Sequence, residues 1–503
     1  MNDAMQVTIH LHRVILGENK EGYSMGVLSG LEPKAVFRFF EELCAIPHGS
    51  HNTRAISDYL VDFAESHRLK FRRDEFNNVI IWKAPTAGYE HSPAVMLQGH
   101  VDMVAEKDAD CAKDMEKEGL DLFVDGDLVG ARGTTLGGDD GIAVAMALAI
   151  LDADHIPHGP LECLFTVDEE VGMLGARGLD ASDLTARYLL NLDSEEEKVL
   201  TVSCAGSTRA VCTLPVSRAA YAGTVCKLVV DGLMGGHSGE EIHKCRANAN
   251  ILMGRALTEL RNATDLRLIA VSGGAKDNAI PRDAAALVSV KDFAAAEAAV
   301  KALGEALQNE YRTADPDIRV SLEPAASDLM PMDEDSTRRV AAFLFCAPNG
   351  VQMMSAEVPG LVQTSLNLGQ VFTEGDAVVC RFMIRSSVNS QAAETTGKVI
   401  ALTEALGGTV DIPASYSAWQ YRPDSHLRDV MIEAFRAVYG EEPKIAALHA
   451  GLECGILSGK MPDLDCISFG PDLTNIHTPR ERLHVASTER TWALTLETLK
   501  RLK

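Results

Sequence analysis

At 503 residues, with 46% hydrophobic and 24% charged residues, the chain has the balance of a globular protein and is too long for one ordinary hydrophobic core, so two or more domains are expected. Its net charge of −25 repels phosphate backbones, and no Lys/Arg stripe offsets it, which argues against a nucleic-acid partner. It has no unbroken apolar run long enough to cross a bilayer, so no membrane association is expected.

Taken from the amino end, Met1 to Tyr23 carries His10, His12, Arg13, Glu18, Lys20 and Glu21, and lacks the continuous apolar block of a secretory signal. Met25-Gly26-Val27 reads as a more natural start, so residues 1–24 are expected to be a peripheral extension. The eleven cysteines are scattered, with no C-x-x-C pair; Cys163 in LECLF and Cys380 in VVCRF read as small buried hydrophobes of a reducing compartment, which makes the cytoplasm the expected location.

From Pro33 to about Leu69, apolar residues recur at three- and four-residue spacing, which predicts helix. Short apolar runs follow, at VIIW (79–82), AVMLQG (94–99), LECLFTV (161–167), YLLNL (188–192) and, far along the chain, CISF (466–469). Between them lie helical stretches such as GIAVAMALAIL (141–151) and SHLRDVMIEAFRAVY (425–439). Strands apolar throughout and alternating with helices predict an α/β domain with a mostly parallel sheet and helices on both faces. Residues 207–422 differ: the pattern reads β-α-β-β-α-β, then recurs in part, which predicts an inserted α+β domain of two ferredoxin-like halves. The catalytic domain is then expected at 1–206 and 423–503.

The chemistry-bearing residues fall where such a sheet places them. Ligands bind beyond the carboxyl ends of the strands of open α/β sheets. AVMLQG runs into His100-Val101-Asp102, LECLFTV into Asp168-Glu169-Glu170, YLLNL into Asp193, and CISF is followed within a short loop by His477. Asp139 and Asp140 lie in GTTLGGDDG, which opens the helix GIAVAMALAIL. A single acid after a strand is ordinarily a helix cap or a solvated turn. Five segments delivering His or carboxylate to one sheet edge call instead for positive charge among them, because clustered carboxylates repel. Two imidazoles and three carboxylates suit a pair of divalent ions such as zinc, cobalt or manganese, with one carboxylate shared and room for a bridging water. Which of Asp139 and Asp140 is shared stays open on spacing alone. H-E-x-x-H and P-loop motifs are missing, so a zincin and a nucleotide-dependent enzyme are not expected, and Gly236-His237-Ser238-Gly239-Glu240 fails the G-x-S-x-G of a serine hydrolase at its last position.

QGHVDMV, ARGTTLGGDDGIA, TVDEEVGM, NLDSEEE, GGHSGEEIH, HAGLECGIL and NIHTPRERLH together resemble the co-catalytic zinc exopeptidases of the carnosinase and aminoacylase group, most closely the bacterial aminoacyl-histidine (Xaa-His) dipeptidases. The resemblance runs from about Leu28 to the C-terminus. It implies a metallo-dipeptidase, a homodimer, with His100, Asp139 and Asp193 on one zinc ion and Asp139, Glu170 and His477 on the other. It further implies that Asp102 orients His100, that Glu169 is the general base for the bridging water, and that the insert is a lid. In that lid His237 would stabilise the reacting carbonyl, while Asn278 and Arg385 would hold the substrate's terminal carboxylate. His449 and Glu453 match the family as surroundings of the site. Many relatives carry Asn where this chain has Asp140, and often an acidic pair where this chain has TPRER. The rival readings are an amidohydrolase of N-acyl amino acids using the same metal centre and a metal-binding protein without turnover. No ligand or base is missing from the motifs, which disfavours the latter.

Overall fold

The computed structural model describes residues 26–503; the expectation for residues 1–24 lies outside the described residues. The chain divides into two compact units. One takes the described residues up to Val202 with Arg422–Ala446 and Ile456–Lys503; the other takes Ser203–Tyr421 with Ala447–Gly455.

The first unit is built on an eight-stranded sheet, in the order Lys70–Arg73, Val79–Lys83, Leu161–Thr166, Val95–His100, Tyr188–Asn191, Asp465–Ser468, Val199–Cys204, Lys444–Leu448. Four central strands, Leu161–Thr166, Val95–His100, Tyr188–Asn191 and Asp465–Ser468, run parallel to one another. All four are almost entirely buried, which is why they read as unbroken apolar runs and not as alternation. Lys70–Arg73 pairs antiparallel with Val79–Lys83, Val79–Lys83 with Leu161–Thr166, and Asp465–Ser468 with Val199–Cys204. Because the four central strands share a direction, their carboxyl ends lie along one edge, and each strand hands its following loop to that edge.

The helical amino-terminal stretch resolves into Lys34–Cys44 and Arg54–Ser66. Helix Gly138–Asp152 has no polar face, and its residues Gly138 through Leu151 are all buried, as an all-round apolar sequence demands. Its carboxyl end is closed by Lys83, whose ammonium donates to the carbonyls of Ile150, Leu151 and Ala153 at 2.9, 3.0 and 2.5 Å. A four-stranded sheet, Leu473–Thr474, Arg482–His484, Leu128–Ala131 and Leu122–Asp125, was not evident in the sequence pattern. It braces both ends of the loop that carries His477.

The second unit contains a nine-stranded antiparallel sheet with the main order Arg319–Pro324, Thr224–Asp231, Ala284–Val290, Leu266–Gly273, Val362–Glu374, Ala377–Ser386, Gly206–Pro215, Thr409–Tyr416; Gly350–Met354 pairs beside Val362–Glu374. Two ferredoxin-like halves meet between Leu266–Gly273 and Val362–Glu374. In the first half the strand order across the sheet is fourth, first, third, second. The second half mirrors it, but its first strand is Gly206–Pro215, which precedes the whole first half in the chain. That displacement explains why the repeat reads as partial in the sequence. Helices Ala249–Ala263 and Phe293–Glu310 belong to one half, Glu334–Cys346 and Asn389–Ala405 to the other. The Asn248 side chain caps the first of these by accepting from the N–H groups of Asn250 and Ile251, an arrangement worth about 1 kcal/mol.

Candidate metal centre

His100 is the last residue of its strand, and its ring is fixed by a turn of the chain that follows. Nδ1 donates to the main-chain carbonyl of Asp102 at 2.9 Å, which directs Nε2 toward Asp139 Oδ1 at 3.0 Å and Asp193 Oδ1 at 3.6 Å. The Asp102 carboxylate is farther from Nδ1, at 3.6 Å. It accepts instead from the Glu169 and Glu170 N–H groups at 3.0 and 3.4 Å and from Ser50 Oγ at 2.8 Å. Asp102 therefore touches His100 through its backbone and steers the Glu169-Glu170 loop through its side chain.

His477 stands in left-handed backbone, φ 61°, a conformation that costs a non-glycine residue energy and that surrounding structure must enforce. Its Nε2 lies 3.2 Å from Asp139 Oδ2 and 3.0 Å from Glu170 Oε1. Asp139 thus turns one carboxylate oxygen to each imidazole. The ligand-type atoms of His100, Asp139 and Asp193 all lie within 4.8 Å of one another, as do those of Asp139, Glu170 and His477.

These spacings fit metal ions. Two donors about 2.0–2.1 Å from a tetrahedral ion lie about 3.3 Å apart, and the four contacts above bracket that value. The chemistry fits as well: with Nδ1 holding a proton on His100, neutral Nε2 offers a lone pair to carboxylates that can only accept. Without a cation, the imidazoles must be charged. Burial works against a charge on His100, yet Asp102, Asp139 and Asp193 outweigh it and hold its pKa well above the usual histidine range. Hydrogen bonds to Asp139 and Glu170 push His477 up to about 10. Burial raises Asp193 to about 6 against the pull of His100.

Asp140 joins neither group. It is buried, and its Oδ2 accepts the His100 N–H at 3.3 Å. Burial, reinforced by Asp193, pushes its pKa well up. Two residues of the same surroundings were not singled out from sequence. Glu195 lies beside Asp193 and Asp139, where burial and those two charges raise its pKa to about 8; the three successive glutamates of NLDSEEE do not reveal that Glu195 faces the cluster while Glu197 is buried against Arg490. Glu481, in the TPRER segment, is 2% exposed.

In the second unit, His237 lies on the short strand Gly236–His237, paired with Ala279–Ile280, and the Ser238 N–H donates to the Asn278 carbonyl at 2.9 Å. His237 Nδ1 accepts the Glu240 N–H at 3.2 Å. Burial and the Arg385 charge lower its pKa, so the ring is neutral with its proton on Nε2. Arg385 is 7% exposed in strand Ala377–Ser386, with no partner for Nε. Around Gly239 these groups crowd together: a Cβ there would lie 3.1 Å from His237 Cε1, 3.2 Å from Arg385 Nε and 2.7 Å from the His449 carbonyl. His449 Nε2 pairs with Ser365 Oγ at 2.7 Å, a partner that no sequence spacing signals.

Residues 96–501 match the model of "Peptidase family M20/M25/M40". The chain is 37% identical over 482 residues to the cytosol non-specific dipeptidase of Escherichia coli K12, covering 95% of this chain and 99% of that one. It is similar to the crystal structure of aminoacylhistidine dipeptidase from Vibrio alginolyticus, with TM-score 0.88 and 37% identity, covering 94% of this chain and 97% of that one. Aminopeptidase PepT from Bacillus cereus, at 15% identity and TM-score 0.55 over 94% of this chain and 99% of that one, shares the fold.

Proposed function

Since the chain belongs to peptidase family M20/M25/M40, we propose that it is a metal-dependent dipeptidase whose two divalent ions are held by His100, Asp139 and Asp193 and by Asp139, Glu170 and His477. The observation that carries this reading is the Asp139 carboxylate, with one oxygen toward His100 and the other toward His477. Two histidines with three carboxylates suit zinc, and also cobalt or manganese. Ions bound there supply Lewis acidity, which acidifies water and polarises a carbonyl.

The chain's own residues do the rest. Glu169 adjoins ligand Glu170 and, as general base, takes the proton of the attacking water and passes it to the leaving amine. Asp102 holds that loop by its bonds to the two N–H groups. His237 presents its Nε2 proton to the oxygen that becomes negative as the carbonyl is attacked. Arg385 offers a planar fork for the substrate's terminal carboxylate, aided by Asn278. The substrates are dipeptides, Xaa-His among them, as the names of the two similar dipeptidases suggest. No helix among the described residues is long and apolar enough to cross a membrane. The cysteines are all unpaired, which supports a reducing cytoplasm; the working unit is a homodimer.

The test is to strip metal with a chelator, restore zinc, cobalt or manganese singly, and assay a panel of dipeptides beside N-acetyl amino acids. Dipeptide cleavage lost on stripping and regained with an ion is expected. Activity indifferent to chelation would overturn the metal reading, and turnover of N-acetyl amino acids alone would overturn the dipeptidase reading.

A further inference from the structure

Glu481 lies far from Asp139 in sequence and in none of the proposed ligand groups, yet its carboxylate is wrapped by the loop that delivers Asp139. Oε2 accepts the N–H groups of Leu136 and Gly137 at 2.8 and 3.2 Å; Oε1 accepts those of Gly138 and Asp139 at 2.8 and 3.4 Å. Four successive N–H groups converging on one anion form a nest, which requires a left-handed residue to turn them inward. Gly137, φ 67°, supplies it. The fit is close: a Cβ on Gly138 would lie 2.7 Å from Leu473 Cδ2 and 3.2 Å from Glu481 Oε1.

The chain around Glu481 is tied to the other half of the same site. Its N–H donates to the Thr478 carbonyl at 3.0 Å, next to His477. On its other side, strand Arg482–His484 pairs with both Leu128–Ala131 and Leu473–Thr474. Asp139 and His477 come from segments 338 residues apart, and the Glu481 carboxylate is a direct link between those two segments.

We propose that Glu481 is a positioning residue for the metal centre: it sets the Asp139 carboxylate between His100 and His477 by holding the backbone of residues 136–139 from behind. This rests on the reading of Asp139 as the shared ligand. Glu481 touches no ion and no substrate. In the glutamine variant one oxygen becomes an NH2 group, which faces two N–H donors instead of accepting from them, so half the nest opens and Asp139 loosens toward both ions.

The test compares Glu481→Gln with the wild type and with Glu162→Gln, a control in the same unit. Glu162 is also buried and accepts N–H groups, those of Thr185 and Ala186, but it lies at no ligand. Calorimetric titration of metal-stripped protein with zinc should show ion affinity falling about ten- to a hundredfold in Glu481→Gln and staying within about twofold in the control. The absorption spectrum of the cobalt-loaded Glu481→Gln protein should shift while that of Glu162→Gln stays as in the wild type. Wild-type affinity and spectrum in Glu481→Gln, or equal losses in both variants, would overturn the positioning role. A wild type that binds no ion would instead overturn the metal centre. Should Glu481→Gln fail to fold, hydrogen exchange on the wild-type chain decides: amides 136–139 should exchange slowly both loaded and stripped. Exchange of those amides in the stripped protein at the rate of an unstructured chain would overturn the proposal.

Discussion

His477 Nε2 lies 3.2 Å from Asp139 Oδ2 although 338 residues separate them. Asp139 faces His100 with its other oxygen, while its neighbour Asp140 turns away and accepts the His100 N–H. Adjacent aspartates thus have opposite duties, and that difference can be measured. Asp139→Ala should lose both ions together. Asp140→Asn should keep both, because the amide oxygen can still accept that N–H. Metal content by elemental analysis is the readout; an empty Asp140→Asn with a loaded Asp139→Ala would reverse the assignment.

Glu169→Gln preserves size and removes proton acceptance. Bound metal should stay at the wild-type level while kcat drops about a hundredfold or more. Undiminished turnover would dismiss Glu169 as the base, and loss of metal would make it a ligand.

Arg385→Lys keeps the charge and loses the bidentate fork. A dipeptide should suffer mainly through KM. The corresponding dipeptide amide, lacking the carboxylate, should be a poor substrate for wild type and lose little more in the variant. The comparison is kcat/KM for both substrates on both proteins; equal proportional losses would mean that Arg385 supports the fold alone.

His449 is buried against Ser365, and burial together with Arg385, His237 and His243 lowers its pKa to about 3. Above the ordinary histidine value of about 6.5, folded and unfolded forms are both neutral. As pH falls from about 6.5 toward 3, the unfolded chain takes a proton that the fold refuses, so stability is lost by up to about 1.4 kcal/mol per pH unit from this residue. His449→Gln should start less stable, through its altered bond to Ser365, yet lose less between pH 6.5 and 4.5. Urea unfolding at a series of pH values measures this, and parallel losses in the two proteins would show that His449 does not contribute.

What the sequence determined by itself is everything carried by local period and adjacency. A fully buried parallel strand must be apolar throughout, so AVMLQG, LECLFTV, YLLNL and CISF were readable, and with them the placement of His100, Glu170, Asp193 and His477 at or soon after strand ends. The specific motifs then identified the family. The tertiary structure decided what depends on pairing between distant segments. Gly206–Pro215 completes the second ferredoxin-like half from outside its own stretch of chain, because antiparallel pairing is set by register across the sheet and not by order. Ala447–Gly455 joins the second unit although it follows the return of the chain to the first. The Asp102 carboxylate accepts from the Glu169-Glu170 loop, and Glu481 accepts from residues 136–139. Such bonds join a side chain to backbone N–H groups, and every residue but proline has one, so no residue type at the donor end records them.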